Sequence, residues 1–217
     1  MTEILTQPEG TYWHFLRDNR CLGYRDGRMV KVGVTLKVEG QVELCCRGLH
    51  ASKRVMDALY HATGSIVCLV TLGGEVLHGE DKSVAEERTA LWIYDAEKLF
   101  REFACNIAEN DLLSEQTAGR EPDPTRSGQG DITAWMAVHA KADRVAFAAV
   151  DRSAYEAADR AVNAAATVPQ RSVTTYDEEY NEEYAAAHSA AYDEAYAKAN
   201  ALLTSLLLTE YYKEKQD

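Results

Sequence analysis

Two groups of residues have the types and spacing to do chemistry. The first lies in the N-terminal part: His14, His50, Tyr60 and the pair Glu86-Glu87. A histidine titrates near neutrality and can take or deliver a proton. A carboxylate serves as a base once a cleft brings it within hydrogen-bond reach of a substrate. Each residue also has a structural role open to it. His50 can cap the helix that follows or pack beneath Trp13, and His14 stands mid-strand among aromatics. Glu86-Glu87-Arg88 reads as a solvated strand entry, and Ser83 has no glycine cradle that would hold a phosphate.

The second group lies near the C-terminus, where Tyr176, Tyr180, Tyr184, His188, Tyr192 and Tyr196 recur every four residues. Each step of four overshoots a helical turn by about 40°, so the ladder winds slowly around a helix. Beside it stand Asp177, Glu178, Glu179, Glu182, Glu183, Asp193 and Glu194, with no Lys or Arg from 177 to 194. Tyrosine adds contact area at little entropic cost, and carboxylates beside it suit an Arg- or Lys-rich partner. Glu178, Glu179, Tyr180, Glu182, Glu183, Tyr184 and Tyr192 are therefore the candidate partner-binding residues. The alternative is that the tyrosines pack on alanines of a neighbouring helix.

Composition narrows the function classes. The net charge is -12, and both halves carry it: residues 131–217 hold 8 basic and 15 acidic side chains. Such a surface repels phosphate backbones, which disfavours direct nucleic-acid binding. Five cysteines at irregular spacing, with no CxxC, read as reduced thiols. Cys45-Cys46 would point to opposite faces of a strand, so no metal site is expected. Met1-Thr2-Glu3 lacks the start of a signal peptide, and no apolar run approaches the roughly 20 residues of a membrane span. A cytoplasmic location without membrane contact is expected.

The elements that must position these residues form an α+β chain. Residues 1–113 read as a small mixed or antiparallel sheet module with short helices, 114–130 as a linker, and 131–217 as a long antiparallel α-helical hairpin. Thr11–Leu16 is an aromatic-rich strand; Asp26-Gly27 marks a turn; Met29–Val38 alternates as a half-buried strand, and Gln41–Cys45 returns as another. Ser52 is placed to cap a helix over Lys53–Thr63. Ser65–Leu72 is an apolar run for a central strand, interrupted by Gly73-Gly74 and extended by Glu75–His78 past a bulge. Thr89–Tyr94 is the next strand, and Asp95 caps a helix to about Asn110 with Leu99, Phe100 and Phe103 inward. Two prolines, three glycines and no large apolar residue mark 114–130 as the linker. Asp131 opens one long helix, and Thr175-Tyr176-Asp177-Glu178 has the form of a capping box for a second, with the connection near Val168–Thr174. Residues 134–201 hold 23 alanines, so the denser core is expected in the N-terminal half.

The stretch Gly48-Leu49-His50-Ala51-Ser52, a helix ending near Tyr60-His61, an apolar strand, then Gly79, Lys82 and Ala85 resembles a domain of phage and prophage proteins of unknown function. Those proteins often carry an alanine-rich helical tail. The same block is distantly similar to the middle of the ADP-ribosyltransferase fold. Leu49-His50-Ala51-Ser52 stands there in place of the usual aromatic element, and Tyr60 matches the second tyrosine. The only residues available for that fold's opening motif are Tyr12-Trp13-His14-Phe15 and Arg17.

The first resemblance, with the acidic surface, implies an accessory protein that binds a basic host protein in the host cytoplasm, such as an anti-defence, anti-CRISPR-like inhibitor. No cofactor goes with that reading, and a homodimer through the hairpin is a further possibility. The second resemblance implies an NAD-dependent enzyme using His14, His50, Tyr60 and Glu87, with Glu86 the other candidate for the catalytic glutamate. A virion assembly or structural role is a third alternative.

Overall fold

Alternation along two long strands divides the interior of the protein in two. The computed structural model describes residues 5–23, 26–117, 141–165 and 178–216, with side chains except at 108–117, 159, 162–165 and 178–184. Strands β4 (Ile66–His78) and β5 (Ser83–Asp95) form an antiparallel hairpin. Val67, Leu69, Trp92 and Tyr94 face one side, and Ile66, Cys68, Val70 and Ala90 face the other. β1 (Thr11–Leu16) pairs with the free edge of β4. β3 (Leu49–Ala51) and β2 (Thr35–Lys37) pair with successive stretches of β5. β4 thus lies between β1 and β5, and Ile66–Val70 is buried throughout. An apolar run covered on both faces requires that position.

Two bulges bend the hairpin. One sets Leu69 and Val70 against Trp92 and Ala90, and the other falls between Gly73 and Val76. At the second, Gly74 has a φ of 69°, and a Cβ there would meet the Glu86 carboxylate at 2.4 Å. That carboxylate accepts a hydrogen bond from the Glu75 N–H at 2.9 Å, which pins the bulge. The bend carries the far end of the hairpin to β3. Just past β3, Ser52 exchanges two backbone hydrogen bonds with Trp13, at 2.7 and 2.9 Å. β1, β4, β5 and β3 thereby close into a ring.

Among the described residues, four helices cover one face. They are α1 (Val55–Tyr60), α2 (Glu97–Thr117), α3 (Ala142–Ala165) and α4 (Glu178–Glu214). Met56 and Leu59 of α1, Phe100 and Phe103 of α2, Ala146 and Val150 of α3, and Leu203, Leu207, Leu208 and Tyr211 of α4 share one core with Trp13, Phe15 and Trp92. α3 and α4 also pack on each other. Tyr192 meets Asp151 and His188 meets Tyr155, so the contacts run in opposite directions along the two helices. The α+β class follows from the sheet and these helices.

Several local expectations hold. Asp95 accepts from the Glu97 N–H at 3.1 Å at the start of α2, and Phe100 and Phe103 are fully buried. Others are corrected. Met29–Val38 is not one strand: Gly33 takes a φ of 77°, only Thr35–Lys37 is extended in the sheet, and Met29, Val32 and Val34 are exposed. Gln41–Cys45 ends in a turn where Cys45 itself has a φ of 65°. α1 begins only at Val55, with Arg54 as the residue ahead of it and no side-chain cap, so Ser52 lies too early to cap it; the Met56 N–H is met by Asn200 Oδ1 from α4 at 3.1 Å. The large apolar residues are not confined to the N-terminal half, because Leu203, Leu207 and Leu208 are completely buried. α2 continues past Asn110 to Thr117. Residues 118–140, with Asp131 and Trp135, and 166–177, with the expected connection and capping box, lie outside the described residues.

Leu207 fills the interface between α4 and the sheet. Leu207→Ala is expected to lower unfolding stability by about 2–5 kcal/mol, read from urea denaturation. A loss below about 1 kcal/mol would show that α4 is not docked on the sheet in solution.

Candidate functional site

The closed ring has a weak seam, and the sequence-predicted histidines gather there. In a strand, alternate residues present their backbone groups to the same edge. Ser52 faces β1, and so does His50, two residues earlier. No backbone N–H of β1 bonds the His50 carbonyl; Arg88 does. Its Nη1 donates to that oxygen from inside the ring. Arg88 sits on β5 opposite Leu36 of β2 and is 3% exposed.

His14 borders the same carbonyl from β1, where it pairs with Cys68 of β4. Burial holds the His14 pKa well below 6.5; the charges of Arg88 and His50 act in the same direction, and the His50 carbonyl opposes them. His14 is therefore neutral at physiological pH. Its Nε2 and Arg88 Nη2 are both sealed from solvent without a hydrogen-bond partner among the described residues. Burial brings the Arg88 pKa down to about 10, which still leaves a full positive charge at neutral pH. Burial also pushes the Cys68 thiol up to about 12, so it supplies no counter-charge.

His50 has a structural role. Its Nε2 accepts from the Cys45 N–H at 3.2 Å, which holds the left-handed turn at Cys45. Burial lowers its pKa, the Gly48 backbone opposes that, and Lys82, Arg88 and His61 add to the lowering.

The other candidates lie elsewhere. Tyr60, at the end of α1, is 58% exposed and rests against His61 and Phe147. Glu87 alternates with Arg88, so it points away from the ring interior, where Lys37 Nζ approaches it to 2.5 Å. The structure brings His14 and His50 together around Arg88 and places Tyr60 and Glu87 apart from them. Glu86 is held at the bulge, and Ser83 is buried and bonded to His78 Nδ1 at 2.9 Å. His61 pairs with Asp81 at 2.9 Å, beside Lys82. Among the described residues no cluster of three or more His, Cys, Asp or Glu is arranged to hold a metal.

The tyrosine ladder turns inward where it is described. His188 packs on Tyr155, the Tyr192 hydroxyl donates to Asp151 at 2.6 Å, and Tyr196 lies 5.9 Å from the Arg54 guanidinium. The ladder winds from α3 toward α1, as its 40° drift per step requires. Burial, then the Asp151 carboxylate, raises the Tyr192 pKa, so this hydroxyl stays a donor. Tyr192 is thus engaged within the fold and is not a free contact for a partner. Glu178, Glu179, Tyr180, Glu182, Glu183 and Tyr184 lie on α4, but their side chains fall outside the described set.

Comparison adds no relative: the chain matches no family model, no curated protein and no solved structure. Among the described residues no helix is long and apolar enough to cross a membrane.

The depressed histidines make stability depend on pH. Above the unfolded-state value of 6.5 they impose no proton-linked penalty. As pH falls below it, the unfolded chain takes up protons that the folded chain does not, and stability drops until the folded values are passed. Each group contributes up to about 1.4 kcal/mol per pH unit within that window. Urea midpoints should therefore fall between neutrality and about pH 5, and His14→Phe should flatten the decline to the share left by His50. An unchanged slope in that variant would mean that His14 titrates normally.

Proposed function

We propose that the protein works by binding a basic surface of another protein through the acidic N-terminal part of α4. The observation that carries this reading is how unevenly α4 is used. Its last turns, from Ala199 to Tyr211, are built into the core. Ahead of them Ala185, Ala186, Ala187, Ser189, Ala190, Asp193, Glu194 and Ala197 are exposed. Glu178, Glu179, Glu182 and Glu183 precede Ala185, Ala186, Ser189 and Ala190 by seven residues, close to two full turns. One helix thus joins a docked half to a half rich in carboxylates. In this reading α3 and α4 are the arms of a single helical hairpin, and Tyr180 and Tyr184 are contacts beside the acids.

The resemblance to phage and prophage domains makes the partner a host protein in the host cytoplasm. A basic surface that normally meets nucleic acid would accept carboxylates where phosphates sit, which is how an anti-defence or anti-CRISPR-like inhibitor would act. The ADP-ribosyltransferase reading gains nothing from the geometry, because Glu87 and Tyr60 stand apart from His14 and His50.

Replacing Glu178, Glu179, Glu182 and Glu183 together with Gln tests the proposal. Partner capture from host extract, with affinity measured at low and physiological salt, should show a loss of about tenfold or more and a shallower salt dependence. Equal affinity and equal salt dependence would mean that these acids serve solubility alone. Capture of a second copy of this chain in place of a host protein would make the face a homodimer contact.

A further inference from the structure

Among the described residues, the interior of the strand ring buries a cation with no anion against it. Arg88 is 3% exposed, and among the described residues no carboxylate approaches it within salt-bridge distance. The acid whose charge acts on it is Asp26, which is already engaged by Arg28 through two hydrogen bonds of 2.7 Å. The other ionised group acting on it is of the wrong sign. Arg28 opposes the charge of Arg88, and Arg20 adds a second positive charge near Cys68. A guanidinium taken out of water without a counter-charge is among the costliest arrangements a fold can hold. It persists where something supplies the missing charge.

Two sealed atoms mark where that charge would sit. Arg88 Nη1 is committed to the His50 carbonyl, and Nη2 has no partner. His14, which borders the same carbonyl, leaves Nε2 without one. Both side chains border one backbone oxygen, so their two unpartnered nitrogens share the ring interior, and the point between them is where an added charge would meet both. We propose that this point is a binding site for a single small inorganic anion, held by Arg88 Nη2 and His14 Nε2. The sealed position limits the occupant to the size of a halide or a small oxyanion.

The site also couples to protons. His14 is neutral in the free protein, and an anion beside Nε2 favours the protonated ring, in which both nitrogens donate. The groups facing it are Arg88 from β5, His50 from β3, Cys68 from β4, and Asp26 with Arg28 from the N-terminal loop. Of these, only the two histidines are of a type that ordinarily titrates near neutrality. His50 is held by the Cys45 N–H outside the ring, which leaves His14 as the proton partner of the anion.

The test compares chloride and bromide with gluconate, which matches their charge but is too large for a sealed site. Thermal unfolding of the full chain should show Tm rising with halide by about 3 °C per tenfold concentration above saturation, with the rise setting in at lower halide concentration at mildly acidic pH. Gluconate should leave Tm unchanged apart from ionic strength. Arg88→Met removes the charge at similar length and should abolish the halide response. His14→Phe should keep a weaker response that no longer grows on acidification. Should Arg88→Met fail to fold, crystals of the unaltered protein soaked in bromide give an independent answer. An anomalous peak within contact distance of Arg88 Nη2 and His14 Nε2 is expected. Identical Tm curves in chloride and gluconate, or water density alone between the two atoms, would overturn the proposal.

Discussion

The docking of the last turns of α4 onto the sheet is the contact on which the other helices depend. Leu203, Leu207, Leu208 and Tyr211 lie against a surface built by Trp13, Val67, Leu69 and Trp92. The contact is fastened at both ends by polar groups. Asn200 supplies the cap that α1 lacks locally, and Glu214 accepts from the Trp92 indole N–H at 2.7 Å. Tyr211 meets Trp92 edge-on at 5.7 Å, and Tyr212 reaches the Thr6 carbonyl at 3.1 Å. α1 is only six residues long, too short to persist by itself. α3 is rich in alanine and gains most of its burial from its neighbours. Removing the C-terminal turns of α4 would therefore expose the sheet face and leave α1 uncapped.

This dependence also explains what the sequence made legible. The apolar run at Ile66–Val70, the Gly73-Gly74 interruption and the Asp95 cap are local signals, and each has a local structural counterpart, whereas the alternation of Met29–Val38 does not become one strand. The ring closure is not local. It rests on one pair of hydrogen bonds between Trp13 and Ser52, and Ser52 has equally good chemistry for capping a helix. Asn200 could replace it as a cap only because the fold brings residues 144 apart in sequence together. The Leu206-Leu207-Leu208 run was a readable sign of a docked terminus, hidden by the alanine content around it.

The site was half legible for a similar reason. His14 and His50 stand out by residue type, and the structure brings them together. Arg88 did not stand out, because it sits between Glu87 and Thr89 in a polar stretch that reads as a strand entry. Extending the alternation of Ala90 back by two residues places Arg88 on the inner face, beside the seam. Glu87, chosen by charge alone, falls on the opposite face by that same alternation.

The energetics of α4 argue that its acids are kept for a reason other than folding. The pairs Glu178–Glu182 and Glu179–Glu183 stand four apart, where like charges cost an isolated helix a few tenths of a kcal/mol each. The helix dipole offsets part of that for the residues nearest the N-terminus. Burial of Leu203, Leu207 and Leu208 is worth several times more, at about 1.5–3 kcal/mol for each side chain. The helix therefore forms whether those positions hold glutamate or glutamine, and the exposed alanines just beyond show that neutral residues are accepted on the same helix. A charge cluster that the fold tolerates without needing is free to be set by what lies outside the fold. Such a field draws in a cationic surface over roughly a Debye length, about 8 Å at physiological salt. The docked half of α4 fixes where that field is presented.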